Sequence, residues 1–227
     1  MFMYTDFFYF DIETTSKYGD LSTLKLNDPR GYDLFVKKCE ALKDDWGNVD
    51  VSELYPQKAP LLSEHGMIIC ISYGIFKNGQ PQIGSFLNRD GDEESLMNNI
   101  KKLFDSVGSK KRICGYNIKN FDIPWITRKL YKYGLEIPSN INMIDKKPWE
   151  TWNLDIFDIW KSSGKIQRLN PSMDEVAYDL GIESSKKNLN GGKIHEYYWV
   201  KKDYESIMHY CEEDVRVLIG IAKKMKL

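Results

Sequence analysis

Residues 7–12, Phe-Phe-Tyr-Phe-Asp-Ile, form an almost uninterrupted apolar and aromatic run. A strand with one wet face alternates apolar and polar residues; a run without alternation fits a central strand buried on both faces. The run also carries two acids, Asp11 and Glu13. Two residues apart on a strand, their carboxylates would point to the same face at its carboxyl end.

The rest of the chain reads as company for such a strand. Residues 67–76 and 82–87 read as two strands of a hairpin joined by the Gly-containing turn Lys77-Asn78-Gly79-Gln80. Residues 93–106 place Leu96, Ile100, Leu103 and Phe104 at helical spacing behind an acidic first turn. A short strand is expected over 112–116. A helix is expected over 121–133, with Pro124 tolerated in its first turn. Residues 153–160 form a short apolar stretch broken by Asp155 and Asp158, which read as strand-end and cap residues. Residues 172–180 predict a short helix stopped by Gly181. From Asp203 on, Ile207, Cys211, Leu218 and Ile221 mark one face of a long terminal helix. Residues 16–66 and 183–202 carry no clear period. Strands first, then helix alternating with strand, imply an α/β fold with a mixed sheet flanked by helices.

With 227 residues, 42% of them apolar, the chain fits one domain over 1–227, with an irregular insertion at about 16–66. The first ten residues lack a basic region and a long apolar run, so neither a secretory leader nor a membrane association is expected. Cys39, Cys70, Cys114 and Cys211 are scattered without a CxxC pair, which reads as reduced core thiols. A formal charge of −1 excludes the broad basic surface usual in duplex binders but leaves room for a small catalytic footprint. Lysine pairs at 110–111, 146–147, 186–187 and 201–202 read as solvated surface, with one pair touching phosphate as the alternative.

Three acidic elements carry the chemistry. Asp11 and Glu13 could clamp a divalent metal, or could be a solvated strand end; chance supplies about one Asp-x-Glu in a chain this acidic, and Asp92/Glu94 is another. The pattern Asn117-x-x-x-Phe121-Asp122 is far rarer, with about 0.05 occurrences expected by chance. Its plain reading is a helix N-cap made by Asn120 or Asp122. In Tyr210-Cys-Glu-Glu-Asp214, Tyr and Asp lie four apart and share a helix face; no other tyrosine here has an aspartate at that spacing.

FDIET, GYNIKNFD and YCEED, in that order, resemble the three motifs of the DEDD 3′→5′ exonuclease superfamily in its tyrosine branch. The resemblance is closest to the proofreading exonuclease domains of B-family DNA polymerases and to related stand-alone bacterial and phage exonucleases. It implies an RNase H-like mixed five-stranded sheet flanked by helices. It also implies two divalent cations, Mg²⁺ or Mn²⁺, held by Asp11, Glu13, Asp122 and Asp214, with Tyr210 orienting the attacking water. A related class uses a histidine five residues before the last aspartate, where His209 stands. Helical geometry places Tyr210 roughly 40° and His209 roughly 140° from Asp214, which favours tyrosine; His209, His65 and His195 read as surface or packing residues.

The activity implied is release of 5′-mononucleotides from the 3′ end of single-stranded or frayed DNA. The rivals are a 3′→5′ exoribonuclease and a catalytically silent nucleic-acid-binding or polymerase-associated module. Thr14, Asn117, Lys119, Phe121 and Trp125 are the expected substrate contacts, with core packing the alternative for Phe121 and Trp125. The loop around Lys186 to Lys193 would add groove contacts. By the same resemblance the protein would be a monomer in the cytoplasm of a bacterial or phage-infected cell, with a DNA polymerase as partner in trans.

Overall fold

The computed structural model describes residues 3–108, 111–144, 146, 153–161, 170–183 and 189–227. In chain order, β1 (Phe7–Ser16) is followed by four helices, α1 (Leu21–Asn27), α2 (Pro29–Ala41), α3 (Lys43–Trp46) and α4 (Val51–Lys58), and a 3-10 turn, Ala59–Leu61. The hairpin β2 (Gly66–Lys77) and β3 (Gln80–Leu87) leads to α5 (Glu93–Val107), β4 (Arg112–Gly115) and α6 (Asp122–Lys132). A two-residue β5 (Leu154–Asp155), α7 (Ile156–Trp160), α8 (Met173–Asp179) and α9 (Tyr204–Lys224) complete it. Among the described residues no helix is long and apolar enough to cross a membrane.

The sheet is mixed and five-stranded, ordered β3-β2-β1-β4-β5. β2 runs antiparallel to β1 and β3, whereas β4 is parallel to β1 and β5 parallel to β4. Asn78 and Gly79 both take positive φ, 50° and 74°, the backbone that closes a two-residue hairpin with the strands' own twist. The central placement of β1 follows from its side chains. Phe8, Phe10 and Ile12 pack into one cluster with α5 and α6, while Phe7 and Tyr9 pack on the opposite face with α8 and α9. Period two therefore sends Asp11 and Glu13 to the α9 face, beyond the last aromatic ring.

Residues 16–66 are not irregular. α1, α2 and α4 close on their own cluster of Leu24, Phe35, Cys39, Leu54, Tyr55 and Ala59, with Phe35 and Tyr55 edge to face at 5.1 Å. The described part of 183–202 also departs from a loop: Gly191–Lys193 is a 3-10 turn and Glu196–Lys201 a π-helical turn that buries Tyr198. Residues 184–188, which hold Lys186 and Lys187, lie outside the described residues.

Candidate active site

The position of the site follows from where pairing stops. β4 pairs with β1 at Phe7, Phe8 and Tyr9 and ends at Gly115, so the edge of β1 from Phe10 onward is free of β4. In open α/β sheets, ligands bind in the crevice outside the carboxyl ends of the strands where chain direction switches. Asp122 reaches into that crevice. Its Oδ1 accepts the Ile12 amide at 3.2 Å. Asp122 is therefore the first residue of α6 with its side chain turned to β1. The expected N-cap by Asn120 or Asp122 is not formed: the cap position is Phe121, without a side-chain hydrogen bond. On the other strand edge, the β1–β2 register slips between Glu13 and Thr14. A bulge at this point ends the alternation that brings Asp11 and Glu13 to one face.

α9 brings the remaining groups. Its buried stripe carries Ile207, Tyr210, Cys211 and Asp214, while His209 is exposed on the opposite side. The acid-rich motif sorts its own members. Glu212 accepts from Ser85 Oγ at 2.9 Å and Glu213 pairs with Arg216 at 2.7 Å, leaving Asp214 to face β1. Asp11, Glu13, Asp122 and Asp214 together line a cleft of about 590 Å³.

Crowding these acids has an electrostatic price. Burial first, then the carboxylates of Asp122, Asp214 and Glu13, pushes Asp11 well above the usual carboxylate range. Asp122 is pushed up to about 7 by burial, against the opposing pull of the Ile12 amide. The Tyr210 hydroxyl is hydrogen-bonded to Asp214; burial and the acids Asp214, Glu13 and Asp11 raise its pKa, so it stays a phenol. A divalent cation would relieve this repulsion, and an oxygen-rich set suits a hard ion. Asp11, Glu13 and Cys211 each place one ligand atom within 4.8 Å of the others.

The second motif forms the cleft's far wall. A Cβ on Gly115 would meet Ile118 Cγ2 at 2.3 Å, so only glycine lets the loop turn this tightly over Phe10. Asn117 takes φ 58°, the left-handed region that asparagine tolerates. Its amide and that of Lys119 donate to the carboxylate of Asp155, at 2.7 and 3.1 Å. Asp155 also caps α7 by accepting the Phe157 amide at 3.1 Å. The cap was expected; the grip on the Asn117 loop was not. Cys211 was also missed: its thiol lies 3.7 Å from Asp11 Oδ2 and 3.5 Å from the Asp11 carbonyl. Both ties cross large separations that local spacing does not encode.

The expected substrate contacts divide. Asn117 and Phe121 line the cleft. Trp125 does not: at 2% exposure its ring is core, closing on Gly66, and offers no face to a nucleotide. The Thr14 hydroxyl is spent on the Pro60 carbonyl at 2.7 Å, tying β1 to the helical segment. Lys119 pairs with Asp158 at 3.1 Å, and the cleft wall beside α7 is completed by Phe157 and Lys161.

No curated protein matches the chain. A family model described as the RNase H superfamily matches residues 59–226, a stretch that holds Asp122, Tyr210 and Asp214 and follows β1 with its two acids. Together with the sheet order and the crevice beside β1, that match over most of the chain places it in a family: the chain belongs to the RNase H superfamily.

Proposed function

We propose that this protein is a 3′→5′ exonuclease that removes 5′-mononucleotides from single-stranded or frayed DNA. The observation that carries the reading is the meeting of four carboxylates from a strand, a loop–helix junction and a terminal helix, with a phenol beside them, in one cleft. Asp11, Glu13, Asp122 and Asp214 would hold a pair of Mg²⁺ or Mn²⁺ ions, which would supply positive charge for the attacking and departing oxygens of a phosphodiester. Tyr210, fixed by Asp214 and kept protonated by burial and by the acids around it, orients the attacking water and does not take its proton. Asn117 and Phe121 confine the terminal nucleotide, and Asp155 holds the loop that presents them.

The test is digestion of end-labelled single strands of DNA and of RNA with identical sequence, with and without Mg²⁺. The reading expects a 5′-labelled DNA strand to shorten stepwise with Mg²⁺ only, and Asp11→Ala to lose more than about a hundredfold in rate. Faster loss of RNA would transfer the reading to an exoribonuclease. Binding without release from either strand would make the chain a silent module.

A further inference from the structure

A second depression, about 260 Å³, lies just past the C-terminal end of β1, lined by four cationic side chains, Lys17, Arg128, Lys129 and Lys132, and one acid, Glu64. The two elements that bear acids lead into it. Asp122 meets Ile12; one turn on, Trp125 closes on Gly66, which is paired with Ser16; then the Lys129 ammonium donates to the Gly66 carbonyl at 2.5 Å and Arg128 reaches Ser63 Oγ at 3.5 Å. At 1.5 Å per helical residue, Arg128 lies about 9 Å and Lys132 about 15 Å along α6 from Asp122. Lys17 lies about 13 Å along the strand direction from Glu13. Along both elements, then, the depression lies past the acids in the direction in which β1 and α6 run.

Its charges are only partly spent. Glu93 pairs with Lys129 and Lys132 at 3.0 and 2.8 Å, and Asp28 pairs with Lys17 at 2.8 Å. An ammonium has three N–H groups and a guanidinium five, so Lys17, Lys132 and the exposed Arg128 retain donors. With three acids around four cations, the depression fits an anion of low charge and several oxygen acceptors. A phosphodiester has one charge and two free oxygens, which matches a guanidinium fork flanked by ammonium groups.

We propose that this depression holds a phosphodiester of the substrate strand, on the 5′ side of the terminal nucleotide, and favours strands long enough to reach it. The inference rests on the nuclease reading above. Two measurements separate their failures. Arg128→Ala/Lys17→Ala, checked for folding by its melting curve, is compared with wild type on a ten-nucleotide strand and on a dinucleotide. The KM for the longer strand should rise about tenfold with kcat little changed, the dinucleotide should be unaffected, and Arg128→Lys should recover part of the loss. The salt dependence of strand binding, read by fluorescence anisotropy without divalent metal, should become shallower by about 0.7 per lost phosphate contact.

If wild type degrades strands and the double variant matches it in KM and salt slope, this inference falls and the nuclease reading stands. If wild type releases no nucleotide yet binds strands with a slope that the variant reduces, the nuclease reading falls and the contact stands. Inorganic phosphate that raises the melting temperature of wild type but not of the variant, with strand KM equal in both, would make this a free-anion site and overturn the inference.

Discussion

Asp122 is buried against the Ile12 amide, with its carboxyl pushed up to about 7 from an ordinary 3.8. A carboxyl raised on folding binds its proton more tightly in the native state. Its contribution to stability is fully present below the unfolded value and is lost as pH rises through the folded one. The metal-free protein should therefore lose melting temperature between about pH 4 and pH 7. Asp11, raised in the same direction, adds to the slope. Asp122→Asn keeps an oxygen for the Ile12 amide but cannot ionise, so its melting curve should be flatter with pH and should exceed wild type at pH 8. Mn²⁺ added at pH 8 should raise the wild-type melting temperature more than that of the variant. Parallel pH curves for the two proteins would show that Asp122 does not titrate in the native state. That the four acids share a cleft and that Tyr210 meets Asp214 was readable because each motif sets its own spacing. Asp155 and Cys211 were not, since each acts through a partner far away in sequence, 38 residues for the Asn117 amide and 200 for Asp11.

The loop from Gly115 to Phe121 is held both from within, by the Asn117 carbonyl accepting the Asn120 and Phe121 amides at 3.1 Å, and from outside itself. Two of its amides end on one buried carboxylate, and that carboxylate also starts α7. Asp155→Ala leaves the part-buried Asn117 and Lys119 amides and the buried Phe157 amide without this acceptor, and the buried one alone costs about 1–3 kcal/mol. Because the loop presents Asp122, hydrolysis should show a fall in kcat larger than any rise in KM, and half-saturation should need more metal. A variant with normal kcat and metal requirement but a lower melting temperature would reduce Asp155 to a helix cap. Elements as a whole were legible where a pattern had length to repeat. The aromatic run of β1, the Asn-Gly hairpin and the stripe of α9 all fall where the sequence places them. The segment after β1 hid its helices because three of them are only 7, 4 and 8 residues long and the 13-residue α2 buries only two side chains, Phe35 and Cys39, too few to mark a stripe. A signal was present: α1, α2 and α4 each begin directly after an aspartate, Asp20, Asp28 or Asp50, whose side chain accepts an amide in the first turn.

Across the whole molecule, β1 is clamped between two apolar clusters, while the helices between β1 and β2 close on a third. That third cluster meets the sheet at one end, where Thr14 donates to the Pro60 carbonyl at 2.7 Å, the Gly66 amide donates to the Leu62 carbonyl at 2.8 Å and, just past β1, the Tyr18 amide donates to the Tyr55 hydroxyl at 3.2 Å. A core of its own, joined to the sheet at one end, is a condition for local opening without global unfolding. Phe35, fully buried against Tyr55 and His65, is the largest apolar side chain central to that cluster. Phe35→Ala should cost about 3–5 kcal/mol. In hydrogen exchange the loss should fall on amides of α1, α2 and α4, with those of β1 paired to β2 and β4 keeping their protection. Asp28 at the head of α2 holds Lys17 at the rim of the basic depression, so the same variant should weaken binding of a ten-nucleotide strand more than that of a dinucleotide. Equal loss of protection in the helices and the sheet would mean that both melt as one unit and that the acids depend on the helical segment for their support.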